Sequence, residues 1–176
     1  MNGVGDMDMS VLFLSIVVWS LALYSLRVAL AGDPLCVSVY RADEGLLKRV
    51  GRVVMEGMEP SAEDEIQFLR RFTRLGVLEL VASLVELVML LYVVTQIKTP
   101  WLVWLAWGLL FKNFALLLLN WLYLRRQRLP DTSIFEQLLA LPRWYLWLDR
   151  AAAFASGAGF ILIILALNGY LGGDGK

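Results

Sequence analysis

Two apolar stretches of this chain carry ionisable and amide side chains where a membrane-spanning helix would meet lipid. The stretches are 76–97 and 101–124. Charged groups at membrane depth are costly unless they have partners, and they often mark the paths of protons or ions. The chemistry that this pattern supports is either hydrogen bonding between helices or ion movement. The polar residues that carry it are Glu79, Ser83, Glu86, Lys112, Asn113 and Asn120.

The spacing of these residues places them opposite one another. A short Lys-Thr-Pro turn joins the two stretches, so they should form an antiparallel hairpin in which residues equally far from the turn lie level. By this rule Glu86 lies level with Lys112 and Asn113, and Glu79 lies level with Asn120. At a rise of about 1.5 Å per residue, Glu86 and Lys112 are roughly 15 Å inside their helices, near the middle of a bilayer.

Two interpretations of this hairpin remain open. In the favoured one, the polar groups hold helices together, since interhelical hydrogen bonds are common in membrane proteins. In the other, Glu79 and Glu86 relay protons or cations and Lys112 sets the proton affinity of Glu86. An oligomer would favour the second interpretation, because one four-helix bundle has little room for a pore.

Composition places the chain in a membrane. Of its 176 residues, 59% are hydrophobic and only 18% are charged, which is too apolar for an ordinary soluble domain. A helix of about 20 residues crosses the hydrocarbon core, and four stretches are long enough. We therefore predict an all-α, four-span transmembrane helix bundle forming a single domain over 1–176. The predicted spans are 9–31, 76–97, 101–124 and 144–171, with a cytoplasmic segment at 32–75.

Several classes of function lack the residues that they need. The chain has no histidine and one cysteine, Cys36, so the usual ligands of haem, zinc and copper are missing. No nucleophile motif or phosphate-binding loop occurs, which argues against an enzyme. The net charge is zero, which gives no support for nucleic-acid binding. We expect no catalytic activity, no cofactor and no metal.

Basic residues predict the orientation. Thirteen of the 16 lysines and arginines fall in the segments that follow spans one and three or at the adjoining ends of spans. Lysine and arginine favour the cytoplasmic side of a membrane. Both termini should therefore lie on the non-cytoplasmic side, and we expect the membrane to be a bacterial-type plasma membrane. Long basic side chains near span ends reach the lipid headgroups. The residues assigned to this role are Arg70, Arg71, Arg74, Arg125, Arg126 and Arg128.

The segments between spans should form further helices. Apolar residues recur at helical spacing over 46–58 and predict an amphipathic helix that lies on anionic lipid, covers its own bundle or docks on a partner protein. Ser61 and Asp64 form a capping pattern for a second helix that runs into span two. Ser133 and Glu136 form another, before a short interfacial helix that precedes span four.

Span four carries small residues at intervals of four, namely Ala151, Ala155 and Gly159. Small residues let helices approach closely, either within the bundle, which is favoured, or between copies of the chain. The sequence thus predicts a noncatalytic integral membrane protein, an oligomeric or accessory subunit of a membrane complex. Its expected partners are membrane lipids and either copies of itself or other membrane subunits. The alternative is an ion or proton channel or transport subunit that uses the intramembrane carboxylates.

Overall fold

The computed structural model describes residues 9–126 and 133–167, and within these ranges every regular element is a helix. The long helices pair as α1 with α7 and α4 with α5, and the short ones lie between them in the chain. The helices are α1 (Met9–Ala31), α2 (Pro34–Tyr40), α3 (Glu44–Glu56), α4 (Glu63–Gln96), α5 (Pro100–Arg126), α6 (Ile134–Leu139) and α7 (Arg143–Leu167).

Four helical segments are long and apolar enough to cross a membrane. They are α1 with its continuation into α2, then α4, α5 and α7. This confirms the prediction of an all-helical chain with four helices of membrane-spanning length. The last four residues of the predicted fourth span, 168–171, lie outside the described residues.

The described apolar residues form two separate cores. The larger lies where α4 turns into α5, and we call this the turn end of the bundle. Residues from all four long helices fill it, and nearly all of them are aliphatic. They include Val18, Leu90, Leu102, Phe160 and Ile163.

The smaller core lies at the opposite end, which we call the cap end. There α2, α3 and α6 pack on the first turns of α4. Phe135 of α6 is only 1% exposed, and its ring lies 5.7 Å from that of Phe68 and 5.1 Å from that of Phe72. Leu47 and Val50 of α3 are buried in this core whereas Val54 is 50% exposed, so α3 covers the chain's own bundle with part of its apolar face.

Local capping explains the bounds of the short helices. Asp33 accepts a hydrogen bond from the Cys36 N–H over 2.9 Å and starts α2, a helix that the sequence analysis did not predict. Asp43 starts α3 at Glu44, two residues before the predicted start, by accepting from the N–H groups of Gly45 and Leu46. Gly57 ends α3 because its φ of +65° suits glycine. The Ser133 and Glu136 box begins α6 as its spacing indicates.

The start of α4 differs from the predicted Ser61 and Asp64 capping pair. The helix begins at Glu63, and Glu65 instead accepts hydrogen bonds from the N–H groups of Ser61 and Ala62. Glu65 is only 4% exposed, and its other oxygen accepts from the Arg49 guanidinium over 3.0 Å. Arg49 also pairs with the Asp64 carboxylate over 2.6 Å, so both acidic residues connect α3 to α4, and of the two it is Glu65 that accepts from the backbone before the helix.

The small residues of α7 pack in a different register from the predicted one. Gly159 is buried against Leu109 of α5, but Ala151 and Ala155 are exposed, so the assignment of these two alanines to packing within the bundle was wrong. The buried face instead includes Ala152, Ser156 and Gly157. A Cβ atom on Gly157 would lie 3.0 Å from the Leu26 side chain, so this glycine allows α1 to approach α7 closely.

Candidate intramembrane polar site

A polar cavity lies between the α1–α7 pair and the α4–α5 pair, on the cap side of the larger core. Its volume is about 150 Å³, which is enough for several water molecules. Each long helix contributes residues at intervals of three or four, which lie on one helical face. The polar residues that line the cavity are Tyr24, Ser25, Ser83, Glu86, Lys112, Asn113, Asp149 and Ser156.

Glu86 is the centre of the hydrogen bonding in this cavity. Its Oε1 atom accepts a hydrogen bond from Asn113 Nδ2 over 2.8 Å and another from Ser156 Oγ over 3.2 Å. These two bonds connect α4 to α5 and to α7. Its Oε2 atom has no hydrogen-bond partner among residues 9–126 and 133–167. One carboxylate oxygen thus joins three helices while the other remains available to a further donor.

Lys112, on α5, contacts α7 and lies close to Glu86 of α4. Its Nζ atom donates to Ser156 Oγ and, over 3.3 Å, to the backbone oxygen of Ala152. It lies 3.9 Å from Glu86 Oε1, at the limit of a direct ion pair. Ser156, which is 2% exposed, therefore bridges the lysine and the carboxylate. The level placement of Glu86, Lys112 and Asn113 leads to one connected cluster.

Glu79 and Asn120 do not face each other, contrary to the expected arrangement. Asn120 is exposed on α5 and has no hydrogen-bond partner in the part of the chain that the structure describes. Glu79 instead lies beside the Asp33 carboxyl and the backbone of Leu35, at the start of α2. The connection between α1 and α2 therefore occupies the side of α4 to which Glu79 points. Ser83 lies on the cavity wall but is exposed.

Asp149 was not among the predicted site residues, although it lines the cavity and interacts electrostatically with Lys112. The signal was present in the sequence, since Asp149, Ala152, Ala153 and Ser156 recur at intervals of three, one and three and so share one helical face. The adjacent Arg150 instead indicates the membrane surface. Its guanidinium lies 6.0 Å from the centre of a neighbouring tryptophan ring.

The arginines assigned to lipid headgroups lie at the cap end. Arg70, Arg71 and Arg74 are exposed on the first turns of α4, below the apolar part of that helix. Arg125 is exposed near the end of α5, with its guanidinium 5.2 Å from the centre of the Trp121 ring. The side chain of Arg126 and the whole of Arg128 lie outside the described residues.

An ion pair within α3 lies at the same cap end. The Glu44 carboxylate lies 2.8 Å from Lys48 Nζ and raises the pKa of that lysine.

The arrangement is suited to hydrogen bonding and proton binding. No group of three or more His, Cys, Asp or Glu side chains is placed to hold a metal ion within the two described ranges. Toward the turn end the cavity meets the larger apolar core, whose buried members are hydrocarbon side chains and Met89. Within the described residues, the polar cavity therefore does not continue through this core to the turn end.

Comparison of the chain with protein-family models, with curated proteins and with solved structures gives no match.

Proposed function

We propose that the protein is a noncatalytic integral membrane subunit whose polar cluster fixes the relative register of its transmembrane helices. The observation that carries this proposal is the bonding of one oxygen, Glu86 Oε1, to groups on α5 and α7. A register shift of one residue would turn Asn113 or Ser156 away by about 100° and leave Glu86 unpaired. Unpaired polar groups in hydrocarbon are costly, so a single register is favoured.

Assembly with copies of the chain or with other membrane subunits forms part of this proposal. Its support is the position of Ala151 and Ala155, which face out of the protomer beside the large exposed side chains Phe154 and Leu148. Small residues between larger ones allow another helix to approach. Membrane lipids would cover the remaining exposed faces.

For orientation, we propose that the cap end lies on the cytoplasmic side of a bacterial-type plasma membrane and that both termini lie on the other side. The support is the concentration of basic residues at the cap end. In a Cys36→Ala background, an impermeant maleimide added to intact cells should label Lys98→Cys, at the turn end, but should label Lys48→Cys only after permeabilisation. The reverse labelling pattern would contradict this orientation.

The second candidate function is proton or ion transport. A specific observation favours it, because the cavity holds Glu86 and Asp149 and can admit water. The apolar core at the turn end opposes conduction through one protomer, since ions do not cross hydrocarbon packing readily. Conduction would therefore need several copies around a shared axis or a movement of the core.

Flux measurements separate the two candidates. We expect proteoliposomes that contain the purified protein to show proton and sodium leak equal to that of protein-free liposomes, and Glu86→Gln to leave the leak unchanged. A proton or sodium flux that depends on the protein and is abolished by Glu86→Gln would overturn the noncatalytic register proposal in favour of transport. Asn120→Leu, at an exposed site outside the cluster, is the matched control.

A further inference from the structure

A lipid-facing groove runs between α4 and α5 beside the polar cavity. Its volume is about 520 Å³, within the range of sites that hold small organic ligands. The facing sides of the two helices form its walls, and the lining residues recur along each helix at intervals of three or four. Six apolar residues make up most of these walls: Leu80, Leu84, Leu87, Leu110, Phe114 and Leu117.

Polar side chains interrupt these apolar walls at one level. Ser83, Glu86 and Asn113 line both the groove and the polar cavity, so the hydrogen bond from Asn113 to Glu86 lies where the two spaces meet. In that bond Asn113 uses its Nδ2 atom and Glu86 its Oε1 atom. Asn113 Oδ1 and Glu86 Oε2 have no hydrogen-bond partners among the described residues. Two residues that line the groove therefore each have an acceptor oxygen without a described donor.

The position of these oxygens restricts what the groove would bind. Glu86 lies ten residues before the end of α4, which is roughly 15 Å along the helix. That depth is near the middle of a hydrocarbon core of about 30 Å, where a phosphate-bearing headgroup is strongly disfavoured. Lys112 balances the charge of Glu86, so this pair has no net charge to attract a cation. A neutral head that donates a hydrogen bond satisfies both conditions.

We infer that the groove between α4 and α5 binds a neutral, hydroxyl-bearing lipid of the diacylglycerol class. The hydroxyl donates to Glu86 Oε2 or Asn113 Oδ1, and an acyl chain lies between the leucine-rich walls. Hydrocarbon contact alone would not distinguish this lipid from bulk lipid, because both present the same tails. The selectivity comes from the hydroxyl, which donates a hydrogen bond that hydrocarbon tails cannot donate.

A matched pair of ligands tests the polar part of the inference. The purified protein in detergent is titrated with dioleoylglycerol and with its methyl ether, which keeps both chains and removes the donor, and bound lipid is counted by native mass spectrometry. A hydrogen bond to a charged group favours the alcohol by about tenfold or more. Dioleoylphosphatidylcholine should bind no better than the ether. Equal binding of alcohol and ether, or binding of neither, would overturn the inference.

A matched pair of variants tests the location. Leu84→Trp fills the groove from a residue that is 53% exposed, and Leu78→Trp places the same ring on the opposite side of α4, at a residue that is 46% exposed. We expect about tenfold weaker dioleoylglycerol binding for the first and unchanged binding for the second. Leu117→Trp, from the facing helix, replaces Leu84→Trp if that variant does not fold.

The same spectra identify a competing occupant. A dimer that Leu84→Trp dissociates, with no dependence on dioleoylglycerol, would show that a second copy covers the groove and would overturn the inference. The inference does not require the protein to be a passive subunit, because lipid selectivity is measured without reference to ion flux. If lipid binding is not observed, the proposed structural role can still be tested by ion flux. If ion flux is observed, the lipid inference can still be tested by mass spectrometry.

Discussion

Replacing Lys112 by methionine tests whether the polar cluster stabilises the bundle. The lysine Nζ donates to Ser156 and Ala152 and lies 3.9 Å from Glu86 Oε1. Methionine keeps a long, flexible apolar side chain but removes the positive charge and all three donors. Glu86 then retains its bonds from Asn113 and Ser156 but loses its counter-charge. We expect a lower free energy of unfolding.

The structure limits the size of this effect. Removing one member of a fully buried ion pair costs about 3–5 kcal/mol, whereas polar contacts between membrane helices average about 0.6 kcal/mol. The Lys112 and Glu86 side chains are 21% and 16% exposed, so the pair lies between these cases. The neighbouring cavity can also admit water to the remaining carboxylate. We expect Lys112→Met to lower the free energy of unfolding by about 1.5–3 kcal/mol.

The assay is reversible unfolding in mixed micelles, with Glu86→Gln and the double variant completing a mutant cycle. If the two residues interact, the double variant should lose less than the sum of the single losses, by about 1 kcal/mol or more. Lys98→Met, at an exposed residue in the α4–α5 turn, should change the free energy by less than about 0.5 kcal/mol. A Lys112→Met loss no larger than that of Lys98→Met, or strictly additive losses, would refute the reasoning.

Three further substitutions test the packing of the long helices and of the cap end. Gly157→Val should cost about 1–3 kcal/mol of unfolding free energy because the new side chain meets α1, whereas Gly108→Val, where no atom lies within 4 Å of an added Cβ, should cost less than 1 kcal/mol in the same denaturation assay. Phe135→Ala should cost about 3–5 kcal/mol because it empties the core of the cap, and a change no larger than that of the exposed Val54→Ala would contradict this role. Glu65→Ala should speed cleavage by endoproteinase Glu-C after Glu56, at the end of α3, since it removes the buried partner of Arg49 and the acceptor of two backbone N–H groups; unchanged cleavage would exclude a role of Glu65 in fixing the α3–α4 connection.

The sequence predicted the helical class and the hairpin for local reasons. Apolar runs of membrane-spanning length are a property of consecutive residues, so composition alone identified them. Equal distance from a short turn placed Glu86 level with Lys112 and Asn113, and the structure has these three residues in one cluster. The same rule failed for Glu79 and Asn120. Distance from a turn fixes depth, but it does not fix which way a side chain points around its helix.

Tertiary structure decided which helical faces meet and what lies between them. The register of α7 follows from Gly157 against α1 and from Ser156 within the polar cluster, so Ala152 is buried while Ala151, about 100° away, is exposed. Glu79 meets Asp33 because the α1–α2 connection folds against α4, a contact between residues far apart in sequence. The amino-acid order thus determined the four long helices and how far each polar group lies from the α4–α5 turn. Packing determined the partners, since rotation of each helix about its axis depends on all of its neighbours at once.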